Sequence, residues 1–154
     1  MMCRSKERVG FLLISVFVPA IVFAGDLRPF TTDGCSSFPD GTSEHHSLWS
    51  GCCVHHDVAY WKGGTRDERR AADEALAQCV ALAGQPKTAQ LMLAGVRLGG
   101  TPYLPTSYRW GYGWPFLRGY KVLTKEEELE VESHLDAQKE MLAAILERIE
   151  MENK

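Results

Sequence analysis

Cysteines on either side of a glycine pair constrain the fold of this 154-residue chain more than any other feature. Cys52 and Cys53 precede Gly63-Gly64, and Cys79 follows it. A glycine pair readily ends a helix, because glycine adopts backbone conformations that other residues avoid. We therefore predict two antiparallel helices joined at the glycine pair, with cysteines available to link them.

Start and stop signals define the helices around this turn. The first helix is predicted from about residue 47 to residue 62, where the glycine pair ends it. The second starts at Thr65, which forms a capping box with Glu68, and runs to about residue 83. A third is predicted over residues 87–98. No segment has the clear pattern of a strand, so the predicted fold class is all-α, with the main domain over residues 25–123.

Residues 124–154 are predicted to form one long additional helix, which starts at a second capping box made by Thr124 and Glu127. From residue 125 onward the chain has ten acidic and four basic residues, so this amphipathic helix carries the acidic excess. A narrow apolar stripe along it would pack on the domain or bind a partner helix, including a second copy of the chain. The stripe contains Val131, Leu135, Leu142, Ile145 and Ile149.

The segment from residue 101 to residue 120 is rich in aromatic residues, glycine and proline, which excludes a regular helix. We predict an irregular segment whose rings pack on the core. The alternative is a lipid-facing rim, since Trp and Tyr favour membrane interfaces. The rings concerned are Tyr103, Trp110, Tyr112, Trp114 and Phe116.

The first 24 residues have the pattern of a secretory signal peptide. Three basic residues precede an apolar run over residues 9–24, and small residues near its end predict cleavage after Ala24. The alternative is an uncleaved anchor helix, but a 16-residue run containing Pro19 is short for a bilayer, which needs about 20 residues. The expected location is therefore secreted or periplasmic.

Cleavage would leave four cysteines in the mature chain: Cys35, Cys52, Cys53 and Cys79. In an exported protein an even number indicates disulfides, here two, with three possible pairings. Zinc-bound thiolates are disfavoured because no Cys-x-x-Cys pair is present. Residues 25–124 contain ten bases and nine acids, so no basic patch indicates nucleic-acid binding.

The hairpin register also pairs a histidine with a carboxylate. Facing residues in an antiparallel hairpin have numbers that add to a nearly constant total, and Cys52 with Cys79 gives nearly the same total as His56 with Asp73. A carboxylate that accepts one imidazole N–H fixes the tautomer, which leaves the other nitrogen free to take a proton from water. Tyr60 lies one turn beyond His56, where its hydroxyl can also reach Asp73.

Asp57 lies one position round the first helix and points toward the preceding loop. If Cys53 bonds Cys35, the loop containing Asp33 and Gly34 is held beside Asp57. Two carboxylates with nearby backbone carbonyls form an oxygen-only pocket, which suits calcium.

These residues resemble the secreted phospholipase A2 family. The family's pattern of cysteine, two residues, His-Asp, two residues and tyrosine appears as Cys53-Val-His-His56-Asp57-Val-Ala-Tyr60, preceded by the second cysteine of the animal-type enzymes. Asp73, six residues before Cys79, matches their orienting aspartate. Thr32-Asp33-Gly34-Cys35, followed by Pro39-Asp40, is similar to the calcium loop of microbial members. The resemblance covers about residues 30–80.

The resemblance implies that His56 is the general base, that Asp73 orients it, and that calcium is bound by Asp57, the Asp33 carboxylate and the Gly34 carbonyl. It also implies disulfides Cys35–Cys53 and Cys52–Cys79. The expected function is calcium-dependent hydrolysis of the sn-2 ester of glycerophospholipids at a membrane surface. The alternative is a catalytically inactive module of the same shape that binds lipid or a protein partner.

The chain also departs from the family. Alanines at positions 59 and 72 stand where animal-type members have a further disulfide between the helices, and the glycine-rich calcium loop of those enzymes is absent. The long C-terminal helix has no counterpart. A third class, a zinc protein with ligands His45, His46 and His55, is disfavoured because no helical i, i+4 histidine pair is present.

Overall fold

A computed structural model describes residues 26–153 of the chain. Within that range the protein consists of five helices and no strand, so the predicted all-α fold class is confirmed. The helices are α1 (Ser50–Lys62), α2 (Arg66–Leu82), α3 (Pro86–Gly99), α4 (Lys125–Ala137) and α5 (Lys139–Glu152). The predicted signal peptide, residues 1–24, lies outside the described residues. None of the helices within 26–153 has the length and apolar character needed to cross a bilayer.

Helices α1 and α2 form the predicted antiparallel hairpin. Gly63 and Gly64 both have positive φ, which is why glycine is needed at the turn. The capping box at the start of α2 is confirmed, because the Glu68 N–H donates to the Thr65 hydroxyl and the Thr65 N–H donates to the Glu68 carboxylate. Helix α1 starts at Ser50, three residues later than predicted, because residues 46–49 form turns that lead into the helix.

Two disulfides fasten this hairpin and the loop before it. Cys52 on α1 bonds Cys79 on α2, and Cys53 bonds Cys35 in the preceding loop. Both pairings are those that the family resemblance implies. Helix α3 packs along α2, and their apolar side chains form one of two core clusters with Trp49 of the loop before α1.

The aromatic segment after α3 packs on the end of α1 and forms the centre of the second core cluster. The indole N–H of Trp110 donates to the Gly64 carbonyl at 2.9 Å, and that of Trp114 donates to the Lys62 carbonyl at 2.8 Å. These bonds satisfy carbonyls at and just beyond the helix end, which have no partner within the helix. The core-packing prediction is therefore confirmed for Trp110, Tyr112 and Trp114, whereas Tyr103 and Phe116 are exposed.

The prediction of one long C-terminal helix is wrong, because the helix breaks at Gln138 into α4 and α5. The Gln138 side chain accepts the Phe30 N–H at 2.9 Å and donates to the Phe30 carbonyl at 3.0 Å. This pair of bonds holds the extended segment after residue 26 against α4. Helix α5 then lies against α1, where Ile149 approaches Gly51 and the Asn153 amide donates to the Ser47 carbonyl.

The apolar stripe of the C-terminal segment faces the domain. Val131 is buried in the second core cluster, and Leu135 and Leu142 pack against that cluster. The capping box formed by Thr124 and Glu127 is confirmed at the start of α4. In this structure, therefore, those three stripe residues contact the chain's own core.

Candidate functional site

His56 and Asp73 lie close together across the α1–α2 hairpin. The His56 Nε2 atom lies 3.2 Å from Asp73 Oδ1, the His56 side chain is 8% exposed, and Asp73 is fully buried. Because an ionised carboxylate can only accept hydrogen bonds, the neutral imidazole that fits this contact is the tautomer with its proton on Nε2. The Nδ1 atom then carries a lone pair, and the His56 side chain forms part of a cavity wall.

Tyr60 completes the predicted group at one oxygen of Asp73. Its hydroxyl donates to Asp73 Oδ1 at 2.6 Å, and its ring lies on the His56 ring with centroids 4.1 Å apart. Burial and the negative charge of Asp73 raise the pKa of Tyr60 above its ordinary value. The Tyr60 hydroxyl therefore keeps its proton and helps to hold the carboxylate as a hydrogen-bond donor. It does not act as a base.

Two arginines that the sequence reasoning missed stand at the other oxygen of Asp73. Arg97 Nε lies 2.8 Å from Asp73 Oδ2, and Arg69 Nε lies 4.0 Å from the same atom. A buried carboxylate requires a cation or several donors, so the sequence contained a signal for Arg69, four residues before Asp73 on the same helix. Arg97 comes from α3, and its register against α2 could not be read from the spacing.

A mostly apolar cavity of about 320 Å³ opens beside His56. Its volume lies at the lower end of the range for small-molecule sites. Helix α3 and the loops around residues 38 and 108 supply most of the wall. The apolar and aromatic side chains that line it are Phe38, Leu76, Leu91, Met92, Val96 and Tyr108.

A smaller, polar hollow of about 180 Å³ adjoins this cavity. The two spaces share Ser36, Asp57 and Tyr108, so a ligand with an apolar and a polar part would contact both. Ser36 has φ of 55°, an uncommon conformation for a non-glycine residue, and its hydroxyl donates to Asp33 at 2.8 Å. The hollow is otherwise lined by hydroxyl and carboxylate side chains of the loop before α1 and of the segment after α3.

Of the predicted calcium ligands, Asp33 and Asp57 line this polar hollow, whereas Gly34 lines the adjoining apolar cavity. Asp57 is buried and accepts a hydrogen bond from the Thr32 hydroxyl at 2.6 Å, while Gly34 has φ of 77° in the loop beside it. Burial, together with the negative charges of Asp33 and Asp40, raises the pKa of Asp57 to about 7. Asp40, which the resemblance also places in the calcium loop, accepts the Cys35 N–H at 2.9 Å with its carboxylate, and its negative charge acts on Asp57 although it does not line the hollow.

The donor set fits a hard cation. Oxygen atoms from carboxylates and hydroxyls surround the hollow, and no ion pair among residues 26–153 includes Asp33, Asp40 or Asp57. A cation would offset the mutual repulsion of these carboxylates. Within the same residues, no three His, Cys, Asp or Glu side chains lie close enough together to form a metal centre, so backbone, hydroxyl and water oxygens would have to supply further ligands.

The three histidines of the zinc alternative do not form a cluster. His45, His46 and His55 are all exposed, and they form no metal-binding group in the part of the chain that the structure describes. His55 points away from the cavity that His56 lines, as expected for neighbours about 100° apart around a helix.

In comparisons with known proteins, the chain matches no protein-family model, no curated protein and no solved structure. The geometry of its own residues therefore carries the functional argument.

Proposed function

We propose that this protein is a calcium-dependent esterase that hydrolyses the sn-2 ester of glycerophospholipids. One observation carries the proposal: an imidazole held by a buried carboxylate borders an apolar cavity that adjoins an acidic hollow. A general base, a place for a hydrocarbon chain and a place for a cation are thus next to one another. The family resemblance of residues 30–80 supports the same reaction.

In the proposed reaction, the step carried out by the protein's own side chains is proton transfer at His56. The imidazole Nδ1 takes a proton from water while Nε2–H stays bonded to Asp73, so the water oxygen can attack the ester carbonyl carbon. The bond to the leaving glycerol oxygen then breaks, and the imidazolium returns its proton to that oxygen. The products are a fatty acid and a lysophospholipid, and no serine or cysteine nucleophile is required.

The two adjoining spaces match the two parts of such a substrate. An acyl chain would lie between Leu91, Met92 and Val96, where its transfer from water stabilises binding by about 0.8 kcal/mol per buried methylene. The ester and the charged head group would then lie toward Asp57 and Ser36, which both spaces share. A substrate that is only polar, or only apolar, would leave one of the spaces without suitable contacts.

Calcium, when bound, would act as a Lewis acid that polarises the ester carbonyl. Asp57, Asp33 and the Gly34 carbonyl are the residues proposed to hold it, with Asp40 as an additional nearby charge. Because the pKa of Asp57 is raised to about 7, metal binding should strengthen as the pH rises through that value and the carboxyl ionises.

The test is fatty-acid release from mixed phospholipid vesicles, measured with calcium and with a chelator. We expect His56→Gln to lower the rate at least about 100-fold, the scale of general-base catalysis, without a change in melting temperature. The matched control is His55→Gln, which alters the exposed neighbouring histidine and should keep nearly full activity. The chelator should abolish turnover, and Asp57→Asn should have the same effect at saturating calcium.

Three results would contradict the proposal. Equal activity of wild type and His56→Gln would exclude His56 as the base, and activity that survives the chelator would remove calcium from the reaction. Vesicle binding without fatty-acid release by the wild type would favour the inactive lipid-binding module.

A further inference from the structure

We propose that Arg97 is a positioning residue that holds Asp73 in the orientation needed to keep the proton of His56 on Nε2. The kinetic part of this inference rests on the proposed hydrolase function. The orientation itself depends only on the side chains and can be measured without a substrate.

The two oxygens of Asp73 have separate partners. Oδ1 accepts from the Tyr60 hydroxyl at 2.6 Å and lies 3.2 Å from His56 Nε2. Oδ2 accepts no hydrogen bond among the described residues, and its nearest cation is Arg97, whose Nε lies 2.8 Å away as an ion pair without hydrogen-bond alignment. A carboxylate that turned about its Cβ–Cγ bond would lose this division, so the cation at Oδ2 determines which oxygen faces the imidazole.

Arg69 has a different task, although it lies on the same side of Asp73. Its guanidinium donates to the Tyr60 hydroxyl at 3.1 Å and to the Val96 and Arg97 carbonyls at 2.7 and 2.9 Å. Because the Tyr60 oxygen accepts from Arg69, the Tyr60 proton points toward Asp73. Arg69 therefore orients Tyr60 and holds the end of α3, whereas Arg97 provides the close positive charge at Oδ2.

Removing that charge would leave a fully buried carboxylate at a site where Arg97 now supplies its nearest cation. Arg69, 4.0 Å from Oδ2, would be the remaining cation, and such a carboxylate rotates toward other donors or takes up a proton, because a buried charge without a close partner is costly. A protonated Asp73 would donate to His56 Nε2 and shift the imidazole proton to Nδ1. His56 would then lack the lone pair on Nδ1.

A second contact of the Arg97 side chain, with Glu74, provides a control variant. The Arg97 side chain is 31% exposed, and its outer nitrogen also binds Glu74, which is 57% exposed. Glu74→Gln removes this outer ion pair and leaves the inner contact with Asp73. Exposed ion pairs contribute little to stability, so any general loosening of α3 in this variant should be small.

The first test is nitrogen-15 NMR of the His56 ring at pH 8, above the ordinary pKa of a histidine. Wild type, Arg97→Lys and Glu74→Gln should show one tautomer with the proton on Nε2, whereas Arg97→Gln should show a mixture or the Nδ1–H form. An unchanged tautomer in folded Arg97→Gln would overturn the proposal. If that variant does not fold, the wild-type and Arg97→Lys spectra decide: a single Nε2–H tautomer in both supports the proposal, and an Nδ1–H form or a mixture in the wild type overturns it.

The second test is the kinetics of the same variants. We expect Arg97→Gln to lower kcat about 10- to 100-fold with KM within about twofold, as for residues that orient a catalytic group through one contact. Arg97→Lys should recover most of the rate, and Glu74→Gln should resemble wild type. A rise in KM alone, or equal losses in the Lys and Gln variants, would contradict a positioning role. If His56→Gln shows no loss of activity, the hydrolase proposal fails while the tautomer measurement still tests Arg97.

Discussion

The α1–α2 hairpin and the α4–α5 pair are both made of consecutive helices, but they are held in different ways. A disulfide crosses the first pair, and the buried Asp73 on α2 binds two side chains of α1. The second pair buries one side chain, Val131 on α4, and none on α5. Its attachment depends on partly exposed apolar contacts and on hydrogen bonds such as those between Gln138 and Phe30.

The difference matches the proposed function. The proposed proton transfer requires atoms at hydrogen-bond distance, so the helices that carry His56 and Asp73 would gain from a covalent link and a buried polar network. The C-terminal helices mainly cover the aromatic core and one side of α1, which tolerates looser packing. We therefore expect local opening to start at α4–α5 and the hairpin to open only in global unfolding.

The substitution with the largest expected effect on the stability difference between the two helix pairs removes the disulfide between α1 and α2. Replacing Cys52 and Cys79 together by alanine should lower the free energy of unfolding by about 3–4 kcal/mol, because the closed loop spans 27 positions. Urea unfolding followed by circular dichroism measures the loss. A change below about 1 kcal/mol would show that noncovalent packing alone holds the hairpin and that the disulfide does not distinguish it from the α4–α5 pair.

A matched pair of leucine substitutions compares the packing of the two regions directly. Leu76→Ala creates a cavity in the buried hairpin core and should cost about 3 kcal/mol, whereas Leu142→Ala in the half-buried contact of α5 should cost about 1 kcal/mol. Hydrogen exchange should place the Leu142→Ala effect in α5 alone. Equal costs, or an effect of Leu142→Ala that reaches α1 and α2, would mean that the two regions form one cooperative unit.

The smallest effect should be an acid-dependent loosening at the start of α4. Hydrogen bonds from Arg118, and then from the Thr124 N–H, lower the pKa of Glu127 from 4.5 to about 2. This stabilisation is fully present above pH 4.5 and is lost as the pH falls through 2. After allowance for solvent screening it amounts to about 1–2 kcal/mol. Arg118→Gln should remove most of this pH dependence and leave the smaller part due to the Thr124 N–H, whereas an undiminished dependence in that variant would assign it to other carboxyls.

Local signals allowed much of the fold to be predicted. The glycine pair, the two capping boxes and the cysteine spacing act over a few residues, and each has the expected structure. The hairpin register also places His56 opposite Asp73, because two antiparallel helices leave few ways to align. In these cases the sequence pattern and the final contact lie on the same or consecutive elements.

The features that could not be predicted depend on distant contacts. The break at Gln138 has no glycine or proline to mark it, and its cause is a pair of hydrogen bonds to Phe30, 108 positions away. Arg97 reaches Asp73 only because α3 packs along α2 at one particular register. None of these contacts leaves a periodic trace in the sequence.

The two adjacent cysteines make oxidative folding sensitive to error. Cys52 and Cys53 point about 100° apart around α1, and each bonds a partner on a different side, one on α2 and one in the loop. An isomer with exchanged partners would need α1 to turn about its axis by a similar angle, which would carry His56 away from Asp73. Correct disulfide pairing is thus a precondition of the site, because a wrongly oxidised molecule cannot form the histidine–aspartate contact.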